Sequence, residues 1–292
     1  MTDLADRPDV SPELRLVPHA FREAFGRSAE GVWYAPGVVP LMPGMSVCAR
    51  WGAIVAGERR TDRMLELVSI NRPAEPVRVP LNETVDLPKW ARPVAGIVKR
   101  LEPTGATLLC SVDLPAGSGL SSPNALACVA AIALRDLGRP DLSDDDLLAL
   151  IAECAPHAEA AFAGHTTGLN LDGTSVLVID TRLRSDTPVT VVDYPTSDFP
   201  GTDNPSTRLT VFHRAQTSTR EQDLAVAAAL DAGADGASML VDEPGRPVAA
   251  LADPTRISTV RAYVSDAFRS AELRVPRYLT VRPAAGAVRI TA

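Results

Sequence analysis

A chain in which helical and β-prone segments interleave predicts an α+β fold, and three features carry that prediction. Apolar residues recur at helical spacing, as with Leu14, Val17, Phe21 and Phe25. Short β-prone runs punctuated by glycine and proline lie between such segments. The 292 residues, 46% hydrophobic and 22% charged, suffice for a sizeable core in one large or two fused domains.

The elements follow in order. Pro12 to Gly26 reads as an amphipathic helix closed by its glycine. Gly31 to Pro40, Ser46 to Ala56 and Met64 to Ile70 read as strands, with Pro36, Pro40 and Pro43 limiting them to short or edge positions. Pro88 to Leu101 reads as a helix with Trp90, Val94, Ile97 and Val98 turned inward, and Thr107 to Val112 as a strand. An alanine-rich apolar helix follows a Gly/Ser loop, and Leu142 to Ala163 is a further helical region opened by Ser143 and three aspartates. Ser175 to Asp180, Val189 to Val192 and Leu209 to Phe212 are expected strands, the second lying among the loops of 184–208. Thr219 to Ala232 and Pro254 to Ala271 are helices, Ala237 to Val241 and Pro247 to Leu251 strands, and Leu279 to Ile290 supplies a final strand or two.

Charge and composition exclude several function classes. The 29 Lys+Arg against 36 Asp+Glu give a formal charge of −7, with no basic face to suit nucleic acid. No apolar run approaches the roughly 20 residues of a membrane span, and Met1 to Pro18 is polar without a signal peptide's apolar stretch, so a cytoplasmic location is expected. Cys48, Cys110, Cys128 and Cys154 are widely spaced, which suits buried free thiols better than a disulfide or a metal site. Prolines number 25 and glycines 19, an unusual balance for a chain that handles phosphates through glycine-rich loops.

One segment carries chemistry. Asp113-Leu-Pro-Ala-Gly-Ser-Gly-Leu-Ser-Ser-Pro-Asn is a strand end, a Gly/Ser loop and a helix start, the order that presents backbone N–H groups and a helix N-terminus to an anion. Ser121 or Ser122 would cap the helix and Pro123 suits its first turn. The same pattern also fits a loop that only caps a buried helix.

Asp113 to Ala130 resembles the phosphate-loop motif of the GHMP small-molecule kinases, and their galactokinase branch in particular. Further landmarks occur in order. Phe21-Arg-Glu-Ala-Phe-Gly and Val32-Trp-Tyr-Ala-Pro-Gly resemble the opening segment of galactokinases. Cys154 to Gly168 resembles the segment before their catalytic Asp, and Val178-Ile-Asp-Thr-Arg the strand after it. Gly236-Ala-Ser-Met and Val248-Ala-Ala-Leu resemble the C-terminal motif region. The resemblance implies a two-lobed GHMP kinase-like α+β fold: an N-terminal lobe with the phosphate loop over 1–170, and a ferredoxin-like C-terminal lobe over 171–292 that is shortened relative to the family.

The positions to which the resemblance assigns function are replaced. Galactokinases follow Ala-Pro-Gly with an Arg and a sugar-holding Gly-Glu-His-Thr-Asp-Tyr run, whereas Val38 stands for the Arg and Gly44, Met45 and Val47 for the polar groups. The last Ser of the phosphate loop aligns with Pro123, the magnesium-side Glu with Ala127, and the catalytic Asp with Leu171, one residue before Asp172. The third, glycine-rich loop is Leu240-Val-Asp-Glu-Pro-Gly-Arg, which keeps Gly245 alone and sets two carboxylates where a triphosphate would lie. Phosphoryl transfer depends on magnesium and positioned charge, so ATP-dependent galactose phosphorylation is not expected.

The expected function is binding of, or action on, a small anionic metabolite, a phosphate or sulfate ester, through Gly117, Ser118, Gly119, Ser121, Ser122, Asn124 and Gly168. Asp172 or His165, with His157 as a third candidate, would serve as general base for elimination of the anion. No metal and no cofactor are expected; Mg-ATP enters only under an alternative in which the chain is a divergent small-molecule kinase. A second alternative is a non-catalytic binding protein or subunit with Val38 to Val47 as partner surface. Neither nucleic acid nor a membrane is an expected partner, and homo- or hetero-oligomerisation is left open.

Overall fold

The helix signals in the sequence are realised as caps, and they set the element boundaries. The computed structural model describes residues 12–81, 83, 86–114, 122–155, 157–164, 173–183, 204–240 and 245–290. In chain order the elements are α1 (Pro12–Phe25), β1 (Gly31–Met42), β2 (Met45–Arg59), β3 (Met64–Ser69), β4 (Val77–Pro80), α2 (Arg92–Leu101), β5 (Ala106–Val112), α3 (Ser122–Gly138), α4 (Asp144–Ala152), α5 (Ala158–Ala163), β6 (Ser175–Asp180), α6 (Pro205–Arg214), α7 (Arg220–Asp231), β7 (Gly236–Met239), β8 (Val248–Ala252), α8 (Ile257–Ser270), β9 (Arg277–Val281) and β10 (Val288–Ile290). Gly26, at φ +68°, ends α1 by returning its N–H to the Arg22 carbonyl at 2.8 Å. Ser143 Oγ accepts from the Asp146 N–H at the start of α4, and Thr219 with Gln222 forms a reciprocal capping box on α7.

Two sheets organise the fold, an α+β arrangement as the sequence implies. The first has strand order β10-β1-β2-β5-β3-β4 and is antiparallel except for the β3–β5 pair. The second, β7-β8-β6-β9, is antiparallel throughout. The first sheet packs on α2 to α5 across its main core, while α1 covers the opposite face with Val17 and Phe21. Helix α3 is buried nearly all round, which explains its unbroken apolar composition, and Trp33 Nε1 ties its far end to β1 by donating to Asp136 Oδ2 at 2.8 Å. The second sheet is covered by α7 and α8 on one face and by the β1–β2 hairpin and α6 on the other.

Two expectations change on contact with the structure, and a third is refined. Leu209 to Phe212, expected as a strand, lies inside α6. The Asn204 side chain accepts from the Ser206 N–H at 2.9 Å and Pro205 takes the first turn, so a helix starts within a stretch whose Pro, Ser and Thr content reads as loop. Leu209 and Phe212 then share a buried face while Val211 is exposed, the spacing of a helix and not of a strand. The helical region Leu142 to Ala163 resolves into two helices, α4 and α5. Finally, β1 is not short. It runs for 12 residues, and its pairing with β2 shifts register at Pro36/Gly37 and again between Pro40 and Met42. Bulges let a long strand carry proline. A Cβ on Gly52, opposite the first shift, would stand 2.0 Å from the Ala35 carbonyl oxygen, so only glycine fits there. The expected strand Val189 to Val192 lies outside the described residues.

Candidate functional site

The elements on either side of the Gly/Ser segment are described, while 115–121 lie outside the described residues. On one side β5 ends at Val112, and the Asp113 N–H donates to the Gly52 carbonyl at 2.9 Å, fixing the strand's exit against β2. On the other side α3 begins at Ser122, with Pro123 exposed in its first turn. Asn124 is 8% exposed at the head of the helix, and the following residues Ala125 to Leu134 are buried. The strand before this segment and the helix after it stand where the sequence reading put them. Gly117, Ser118, Gly119, Ser121, Gly168, His165 and Asp172 lie outside the described residues, as does the Ser122 side chain, so among the expected site residues only the side chains of Asn124 and His157 are placed.

Next to this anchor the β1–β2 hairpin has become core. Val38, Val39, Leu41, Met42, Met45 and Val47 are none of them more than 5% exposed. From Val39 to Val47 they pack against Val176, Val178, Leu251 and Val281 of the second sheet and against Leu209 and Phe212 of α6. This corrects the reading of Val38 to Val47 as partner surface: a stretch this apolar is covered from within the chain. The position corresponding to the family's magnesium-side carboxylate, Ala127, is 1% exposed within the main core.

His157 stands at the head of α5, where its Nδ1 faces Ser46 Oγ at 3.4 Å. Ser46, on β2 within the buried hairpin, had no signal in the sequence beyond being a lone polar residue in an apolar run. Cys48 Sγ donates to the Ala160 carbonyl at 2.9 Å, and burial pushes this thiol up to about 12, as it does for Cys110 and Cys128. Thiols held protonated in this way do not serve as nucleophiles or metal ligands. All four cysteines are free, Cys154 being half-buried. Among the described residues no cluster of three or more His, Cys, Asp or Glu is placed to hold a metal ion, and no helix is long and apolar enough to cross a membrane.

Beside the second sheet, His213 on α6 is buried next to Asp223 on α7, with Nε2 and Oδ1 3.2 Å apart, and the Met239 N–H points at its Nδ1 at 3.4 Å. Burial holds this imidazole below its ordinary value, against the upward pull of the Asp223 carboxylate. A neutral ring that donates from Nε2 and accepts at Nδ1 satisfies both neighbours, which is a structural role.

Comparison with known proteins agrees with this architecture. Residues 91–171 match the GHMP kinases N terminal domain. A galactokinase of Streptomyces coelicolor is 32% identical over 193 residues, covering 57% of this chain and 48% of that protein. One of Actinobacillus pleuropneumoniae is 29% identical over 210 residues, covering 61% and 51%. The chain thus spans about half the length of the curated relatives it matches. Lactococcus lactis galactokinase, solved with galactose, superposes with a TM-score of 0.75 at 17% identity over 95% of this chain and 100% of that one.

Proposed function

We propose that this chain, which has the fold of the GHMP kinases and galactokinases among its relatives, binds a small phosphate or sulfate ester at its Gly/Ser loop and does not phosphorylate galactose with ATP. The observation that carries the second half is the burial of Val38 to Val47. Where galactokinases hold the sugar with polar side chains, this chain packs valine, leucine and methionine against its second sheet. A hydroxyl-rich ligand entering there would strip core contacts and meet no hydrogen-bond partners.

Two positions bear on magnesium. Of the two positions that the resemblance gives to magnesium, Ala127 has no side-chain oxygen and sits in an apolar core, and Pro123 has neither hydroxyl nor N–H. No step is therefore routed through that group. The anion half rests on the order β5, loop, α3: a helix N-terminus behind a Gly/Ser loop offers fixed N–H dipoles to an oxyanion. Ser118, Gly119, Ser121, Ser122 and Asn124 are the residues assigned to hold it, and His165 or Asp172 the base. In the elimination this supports, the base takes a proton from the carbon next to the ester-bearing one, a carbon–carbon double bond forms, and the C–O bond breaks to release the anion.

Thermal denaturation with Mg-ATP, with phosphate, with sulfate and without ligand tests the reading, because a ligand that binds the native state raises the melting temperature. Phosphate or sulfate is expected to raise it, and Ser121→Ala combined with Ser122→Ala to abolish the rise. Stabilisation and galactose turnover with Mg-ATP would sink the proposal, as would a double variant with unaltered phosphate binding.

A further inference from the structure

We infer that the chain carries a second ligand site, independent of the Gly/Ser loop, for a small molecule bearing a diphosphate. A cavity of about 540 Å³ opens where β2 meets the far end of the second sheet, lined among others by Arg50 and Trp51 of β2, Ser175 of β6, Ser258 and Arg261 of α8, and Arg282 just after β9. That volume lies in the range of pockets that enclose nucleotide-sized ligands.

Its lining is cationic, with three arginines and no carboxylate. Several other arginines are matched: Arg27 with Glu58, Arg60 with Asp62 and Glu66, Arg100 with Glu153, Arg135 with Asp136 and Asp144. Arg50, Arg261 and Arg282 make no ion pair among the described residues, in a chain whose formal charge is −7. Two of the three are steered by aromatic rings instead, the Arg50 guanidinium lying 5.4 Å from the Trp51 ring and that of Arg261 5.3 Å from Tyr278. Guanidinium groups held over rings keep their N–H forks free for an oxyanion.

Two further observations point into the same cavity. Ser175 is 2% exposed and lines it. Ser175 precedes Val176, which faces the hairpin, so strand alternation turns Ser175 toward α8 and the cavity. Helix α8, 14 residues long, begins at Ile257 with no side chain capping its first turn, and Ser258 and Arg261 stand one turn apart on the face that lines the cavity. Three cations, a helix N-terminus and the Ser175 and Ser258 side chains match a compact ligand with about three negative charges, a diphosphate rather than a single phosphate.

Titration calorimetry of the full chain with sodium pyrophosphate tests the site, with Trp51 fluorescence as a second readout. Binding is expected in the wild type, weakening with added salt, and accompanied by a fluorescence change that is absent in Trp51→Phe. Each of Arg261→Ser and Arg282→Ser is expected to lower affinity by about tenfold or more, as loss of a charge-assisted hydrogen bond does. The Ser121→Ala, Ser122→Ala double variant separates this site from the loop, and pyrophosphate affinity is expected to be unchanged in it. No binding at millimolar pyrophosphate, undiminished binding in both arginine variants, or loss of binding in the serine double variant would each overturn the assignment.

Discussion

The strands β1 and β2 meet the second sheet at two places, and the two could hardly differ more. At the hairpin tip, Val39, Leu41, Met45 and Val47 interlock with Val176, Leu251 and Phe212. Only a few residues further along β2, Arg50 and Trp51 face the same sheet across an open, cationic cavity. One end is closed by the hydrophobic effect and the other is held open by unpaired charge. The closed end therefore carries stability, and the open end is available for a ligand. The sharpest way to break this contrast is to place a charge in the closed end: Val47→Asp is expected to cost about 4 kcal/mol, or to prevent folding, because a buried carboxylate there has no partner. Urea denaturation followed by circular dichroism measures it. A loss under 1 kcal/mol would mean that water already reaches the hairpin tip.

Truncation gives a smaller effect at the same place. Leu41→Ala should cost about 3 kcal/mol by leaving a cavity between hairpin and sheet, again read from the urea midpoint. That Val38 to Val47 is apolar was plain in the sequence; what it packs against was not. The covering residues come from β6, β8, β9 and α6, more than 120 residues away, and long-range pairing leaves no local trace. Local physics was legible wherever it decided the outcome, as in the glycine stop of α1 and the serine start of α4. It misled at α6, where β-prone Val211 and Phe212 outweighed the Asn204–Pro205 start, and at β1, where prolines suggested a short strand and bulges kept it long. The open end was invisible for the same reason as the closed one. Arg50, Ser175, Arg261 and Arg282 converge from four elements and share no motif.

The closed end also contains a titratable group. His213 follows Phe212 on α6, and burial depresses its pKa below the ordinary 6.5. With the folded value below the unfolded one, the unfolded chain binds more protons in the window beneath pH 6.5. Stability present above that pH is therefore lost as the pH falls through it. The unfolding free energy is expected to decline between pH 7 and 5, and His213→Gln to flatten the decline. An unchanged slope in the variant would assign the pH dependence to surface carboxylates instead.

The smallest stability effect is expected at the open end, and its smallness is the point. Arg282 is exposed, makes no ion pair among the described residues and lines the cavity without closing it. Arg282→Ser should therefore leave the urea midpoint within about 0.5 kcal/mol of the wild type. Relief of repulsion among three unpaired guanidiniums could even raise it slightly, more so at low salt where screening is weakest. A loss comparable to that of Leu41→Ala would mean that the guanidinium braces the two sheets as a structural strut. The two ends of β2 would then differ in polarity but not in task.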